Sequence, residues 1–134
     1  MKKLMDLERA IEIAAVAHRG QTDKAGQPYI LHPLRVMLAC EDESTRIVAV
    51  LHDVIEDSDW TLEDLRAETA SDTILAALNA VTRRDDETYS EFIERTARNE
   101  IARAVKIADL NDNLDLSRIA QPTQVDFARM DRYR

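Results

Sequence analysis

The residues Ile47 to Asp57, IVAVLHDVIED, restrict this chain more than any other stretch. Taken at helical spacing, Ile47, Val50, Leu51, Val54 and Ile55 form an unbroken apolar stripe, which predicts one helix facing a core. His52 and Glu56 are a turn apart on the other side, as are Asp53 and Asp57, so four polar groups share a patch. An imidazole beside three carboxylates suits a divalent cation better than it suits packing. A solvated acidic helix end is the competing reading of the same residues.

The rest of the chain favours helices. Its 134 residues include only two Gly and three Pro, too few for the turns of an all-β fold. We therefore expect an all-α, compact single domain over residues 1–134, built of about six to eight helices with short loops. A net charge of −8 without a basic run excludes a general nucleic-acid binder, whose affinity comes from phosphate neutralisation. A small phosphorylated ligand stays compatible, because a bound cation reverses the local field. Cys40, the single cysteine, fits a reducing compartment. Asp6, Glu8, Arg9 and Glu12 interrupt any apolar leader, and no run approaches the length of a membrane span. The expectation is a cytoplasmic protein with no membrane partner.

In chain order, Leu4, Leu7, Ile11, Ala14, Ala15 and His18 share one face of a first helix, Asp6 to His18, closed by Gly20. On that stripe His18 reads as a buried histidine with a satisfied ring nitrogen, with a direct catalytic role as the competing reading. GQTDKAGQPYILHP follows, the one stretch rich in turn residues and the natural ligand loop. Within it Lys24 can reach an anion or simply face solvent. His32-Pro33 opens a second helix to about Cys40, with Leu34, Met37 and Leu38 inward and His32 exposed at its start. Ser44 is the expected cap of the central helix. Thr61 with Asp64 and Thr88 with Glu91 have capping-box spacing, and Ser71 caps a helix through Ile74, Leu75, Leu78, Val81 and Thr82. Arg83 to Glu87 reads as a charged loop whose arginines face either solvent or a phosphate.

Asn99 to Leu116 is the second informative element. Ile101, Ala104, Val105, Ile107, Ala108 and Leu110 are apolar most of the way round, which predicts a buried helix. Lys106, Asp109 and Asn113 share a face. A carboxylate there needs a partner, either Lys106 in an ion pair or a metal shared with His52 and Asp53. A last helix begins after Pro122, marked by Val125, Phe127, Ala128 and Met130.

A lone histidine before proline, an adjacent His-Asp pair and a late aspartate, in that order, resemble the HD-domain metal-dependent phosphohydrolases. AHRGQTDKAGQPYILHP, LHDVIED, TLEDL and VKIADLNDN are more specifically similar to the hydrolase domain of RelA/SpoT-type alarmone enzymes, above all the small single-domain alarmone hydrolases. The resemblance runs from about Ala17 to Asn113. It implies an HD-domain fold and hydrolysis of the 3′-diphosphate of ppGpp or pppGpp, giving GDP or GTP and pyrophosphate. It also implies one divalent ion, typically manganese, on His32, His52, Asp53 and Asp109. Glu56 and Asp57 match the residues that orient and activate the attacking water. Lys24 and Asn113 match substrate-contacting positions, and Lys106, Arg35 and Arg118 are candidates to offset the charge of the diphosphate. Asp23 stands where better-known members carry an arginine that stacks on guanine, and a carboxylate cannot make that contact. Leu110 and Asp115 likewise replace arginines. The alternatives are therefore hydrolysis of another nucleotide such as ppApp or pppApp, or a catalytically silent nucleotide-binding domain.

Overall fold

The computed structural model describes residues 3–114, which form eight helices: α1 (Leu7–Ala17), α2 (Leu31–Leu38), α3 (Glu43–Leu51), α4 (Val54–Asp57), α5 (Leu62–Ala67), α6 (Asp72–Val81), α7 (Tyr89–Ala97) and α8 (Glu100–Asn113). An isolated antiparallel bridge, Thr22 to Pro28, is the only β pairing among the described residues. The predicted helix after Pro122 and Arg118 lie outside them.

Helix starts follow local side-chain chemistry. Asp6, Thr61, Ser71, Thr88 and Asn99 each accept a hydrogen bond from a backbone N–H of the first turn that would otherwise lack a partner. Thr61 and Thr88 complete the expected capping boxes with Asp64 and Glu91. The central helix is capped by Asp42 rather than Ser44: the Asp42 carboxylate accepts from the Thr45 N–H at 2.8 Å.

Helix α3 lies at the centre, against α1, α2, α6 and α8. Ile47, Val48, Ala49, Val50 and Leu51 are all buried, so this segment is covered on every side and is not the one-faced helix its stripe predicted. Nor does it run on to Asp57. The Ala49 carbonyl accepts from both the backbone N–H of His52 (3.4 Å) and its ring Nδ1–H (2.5 Å), a tight closure that ends α3. The helical pattern resumes as α4, where the Asp57 N–H bonds to the Asp53 carbonyl. His52 and Asp53 thus sit in a break between two helices.

Three faces differ from the sequence pattern. In α1, which packs against α3, Ala10, Ile13 and Ala14 are buried while Ala15 is exposed, as is Leu4 ahead of the helix. In α2, Val36 packs inward with Met37, leaving Leu38 67% exposed. His32 is buried with them instead of standing exposed at the helix start. In α8 only Ala102, Val105 and Asp109 are buried, and Ile107 is 55% exposed. The inward stripe of α8 therefore ends on a carboxylate.

Candidate metal centre

His32 arrives from the first turn of α2, His52 and Asp53 from the break after α3, and Asp109 from the inward face of α8. One ligand atom from each lies within 4.8 Å of the others. His32 Nε2 is 2.8 Å from Asp109 Oδ1 and 3.8 Å from Asp53 Oδ2. His52 Nε2 is 3.0 Å from Asp53 Oδ2 and 3.4 Å from Asp109 Oδ1. Donors about 2.1 Å from a first-row ion stand about 3 Å apart when adjacent and about 4.2 Å apart when opposite, so these spacings suit one cation.

Protonation points the same way. His52 gives its Nδ1–H to the Ala49 carbonyl, and His32 gives its own to Asp112 Oδ2 at 2.6 Å. With Nδ1 so engaged, a neutral ring would direct its Nε2 lone pair at the centre. His52 Nε2 is buried without a hydrogen bond of regular geometry, although two carboxylate oxygens flank it. Lone pairs facing carboxylates at this range need positive charge between them, either protons or a metal. Two imidazoles and two carboxylates therefore fit a divalent cation.

Without a cation the charges compensate one another. Burial opposes ionisation of Asp109, but the adjacent His32 and His52 imidazoles and the Lys106 charge hold its carboxyl well below the usual range. Asp53 is likewise resisted by burial yet falls to about 2 beside His52. Burial pushes the His52 imidazole down, and the Asp53 and Asp109 carboxylates outweigh it, leaving the ring well above its ordinary value. Lys106 Nζ is 3.1 Å from Asp109 Oδ2, so the expected ion pair coexists with the cluster.

Tyr29 and Asp112 were not singled out by the sequence. The Tyr29 phenol donates to Asp53 Oδ2 at 2.5 Å, and burial followed by the Asp53 charge raises its pKa, keeping it a donor. Tyr29 belongs to the turn whose carbonyl accepts from the His32 N–H, so a spacing of three was its available signal. Asp112 is one turn after Asp109 and had the same signal. His18 is buried with Nδ1 on Gln21 Oε1 at 2.9 Å, as expected of a satisfied core histidine at that nitrogen.

The other expected site residues lie further out. Glu56 and Asp57 are at the rim of a cleft of about 650 Å³ that Arg83 and Arg84 also line. Partial burial, with the Asp53 charge beside it, raises both carboxyls. Glu56 Oε1 accepts from the Arg83 N–H at 2.7 Å. Lys24 is exposed on its loop. Asn113 ends α8 and makes no side-chain hydrogen bond to the cluster among the described residues.

A helical fold that gathers two histidines and two aspartates at a helix break is the architecture of the HD-domain family. The profile of a family described as "HD domain" matches residues 10–126, and the chain belongs to that family. Over 65 residues the chain is 43% identical to a guanosine-3′,5′-bis(diphosphate) 3′-pyrophosphohydrolase of Aquifex aeolicus, covering 46% of this chain and 9% of that protein. Over 69 residues it is 44% identical to a GTP pyrophosphokinase of Streptomyces coelicolor, covering 48% of this chain and 8% of that protein. The chain thus matches less than a tenth of the length of these relatives. A solved structure described as "A metazoan ortholog of SpoT hydrolyzes ppGpp and plays a role in starvation responses" superposes with a TM-score of 0.76 at 29% identity, over 95% of this chain and 78% of that one.

Proposed function

We propose that this domain hydrolyses the 3′-diphosphate of ppGpp or pppGpp, releasing pyrophosphate and GDP or GTP, with one manganese ion on His32, His52, Asp53 and Asp109. The observation that carries the reading is the convergence within 4.8 Å of two carboxylate oxygens and two imidazole nitrogens, the Nδ1 atoms of both rings being already engaged. A bound divalent ion supplies a low-pKa water and polarises the attacked phosphoryl group. Glu56, with its raised carboxyl on the cleft rim, takes the proton from the attacking water, and Asp57 helps hold that water in line. The water oxygen bonds to the phosphorus on the ribose 3′-oxygen, the bond to that oxygen breaks, and the proton ends on it. Lys106 offsets phosphate charge close to Asp109. Lys24 and Asn113 are assigned to substrate contact on the family resemblance, and Arg118, outside the described residues, is a candidate to offset the charge of the diphosphate. The domain acts in the cytoplasm as a single unit over residues 1–134.

One observation favours a second reading, in which the base is not guanine. Asp23 Oδ1 accepts from the N–H groups of Ala25 and Gln27, so the residue folds into its own loop and offers no cationic face to a base.

The test is to incubate manganese-loaded protein with ppGpp, ppApp and simple nucleotides and follow the products. Pyrophosphate release from the guanosine substrates is the expected result, abolished in Asp53→Asn with its circular dichroism unchanged. Turnover confined to other nucleotides supports the second reading. Binding without turnover makes the domain a silent nucleotide binder, and near-normal turnover by Asp53→Asn removes the metal assignment.

A further inference from the structure

The far side of His32 carries an arrangement that the proposed reaction does not use. Asp112 Oδ2 receives the His32 Nδ1–H at 2.6 Å, and Asp112 Oδ1 receives the Arg35 Nε–H at 2.8 Å. The Asp112 side chain is 11% exposed and that of His32 7%, so both groups are largely out of water. Asp109 and Asp112 are one turn apart on α8 and meet opposite nitrogens of the same imidazole. Arg35 and His32 are likewise one turn apart on α2. The two helices are therefore joined through a chain of Arg35, Asp112, His32 and Asp109.

A neutral imidazole has one N–H to give. Carboxylates face both ring nitrogens, Asp109 Oδ1 at Nε2 and Asp112 Oδ2 at Nδ1; with a cation at Nε2, Asp112 would hold the single proton on Nδ1. Arg35 occupies the other carboxylate oxygen, which limits rotation of Asp112 and balances its charge. We propose that Asp112, clamped by Arg35, is a positioning residue that fixes the tautomer and ring orientation of His32 as a metal ligand. This assigns Arg35 to the support of the cluster rather than to the substrate's phosphates. The inference rests on the metal reading given above, with His32 as a ligand.

The test titrates chelator-stripped full-length protein with manganese alone, by calorimetry, with thermal unfolding of each variant as a check on the fold. Asp112→Ala is expected to weaken binding by about 10- to 100-fold, the usual cost of losing such a partner. Asp112→Asn, which keeps an acceptor oxygen but not the charge, should recover part of that loss and remain several-fold weaker than wild type. Arg35→Met should weaken binding in the wild-type background and change nothing further in the Asp112→Ala background, because its effect passes through Asp112. Wild-type affinity in both Asp112 variants overturns the proposal, as does an Arg35 effect that persists without Asp112. If Asp112→Ala does not fold, the Asp112→Asn comparison decides alone. His32→Ala separates the two levels: a wild-type protein that takes up no manganese, or a His32→Ala variant that binds it undiminished, defeats the metal reading itself.

Discussion

Asp53 shows how much of this site depends on hydrogen atoms. Its Oδ2 faces His52 Nε2 at 3.0 Å and accepts the Tyr29 phenol at 2.5 Å. A neutral hydroxyl orients that oxygen without adding positive charge that would compete with a cation. Hydrogen bonds to charged groups contribute about 1.5–3 kcal/mol. Tyr29→Phe, which removes only the oxygen, should lower turnover about tenfold on that scale while KM for the nucleotide stays within twofold. Steady-state kinetics check this, and undiminished turnover would show that Asp53 is held adequately by His52. Tyr29 was within reach of sequence reasoning by its spacing from His32, but PYI reads first as a turn. The position of Asp109 and its pairing with Lys106 were readable because a carboxylate on an apolar helix needs a partner. Asp112 does not stand out in the sequence because Asn113 continues the same helical face and matches the family pattern. The two can be told apart only once His32 Nδ1 is placed.

At the scale of elements, the legible features were the local ones. The capping residues Thr61, Ser71 and Thr88 lie within three residues of the N–H groups they satisfy, so the sequence contains the whole interaction. The break at His52 was not legible, because it depends on an imidazole reaching back to the Ala49 carbonyl and on Asp53 meeting Tyr29 from another segment. Burial of α3 on all sides was hidden for a similar reason: it reflects four neighbouring helices, not its own period. Leu51→Ala should therefore cost about 2–5 kcal/mol. Leu38→Ala, on a residue the pattern placed inward, should change stability by less than about 0.5 kcal/mol. Urea unfolding of the two variants distinguishes these outcomes.

The cleft wall gives a second prediction at this scale. Arg95 of α7 donates to both Glu87 carboxylate oxygens and to the carbonyls of Asn79 and Thr82, binding the Arg83–Glu87 loop to its neighbours. Those hydrogen bonds lower the Glu87 carboxyl to about 2. A carboxylate depressed in the folded state stabilises it above the ordinary value of 4.5, and that contribution is lost as pH falls from 4.5 towards 2. Glu87→Gln should flatten this part of the dependence of Tm on pH. An unchanged acid limb would show that the pair contributes nothing measurable.

For the whole molecule, the cluster joins parts of the chain that are remote in sequence: His32 and Asp109 are 77 residues apart. A ligand that binds only the folded form adds stability by mass action, about 2.7 kcal/mol at a hundred times its dissociation constant. Manganese should accordingly raise Tm of the wild type and leave Asp53→Asn nearly unmoved, which differential scanning fluorimetry can read. The net charge of −8 favours cation uptake generally, so the comparison between those two proteins carries the information. The inward stripe of α8 runs from Ala102 and Val105 to Asp109, with Asp112 one turn on, so its last turns meet α2 through two carboxylates. A cation there would act as a rivet through the last turns of the helix. Amide-exchange protection in α8 should rise with metal much more than in α5, which contributes nothing to the cluster, making the end of the bundle a reporter of whether the centre is filled.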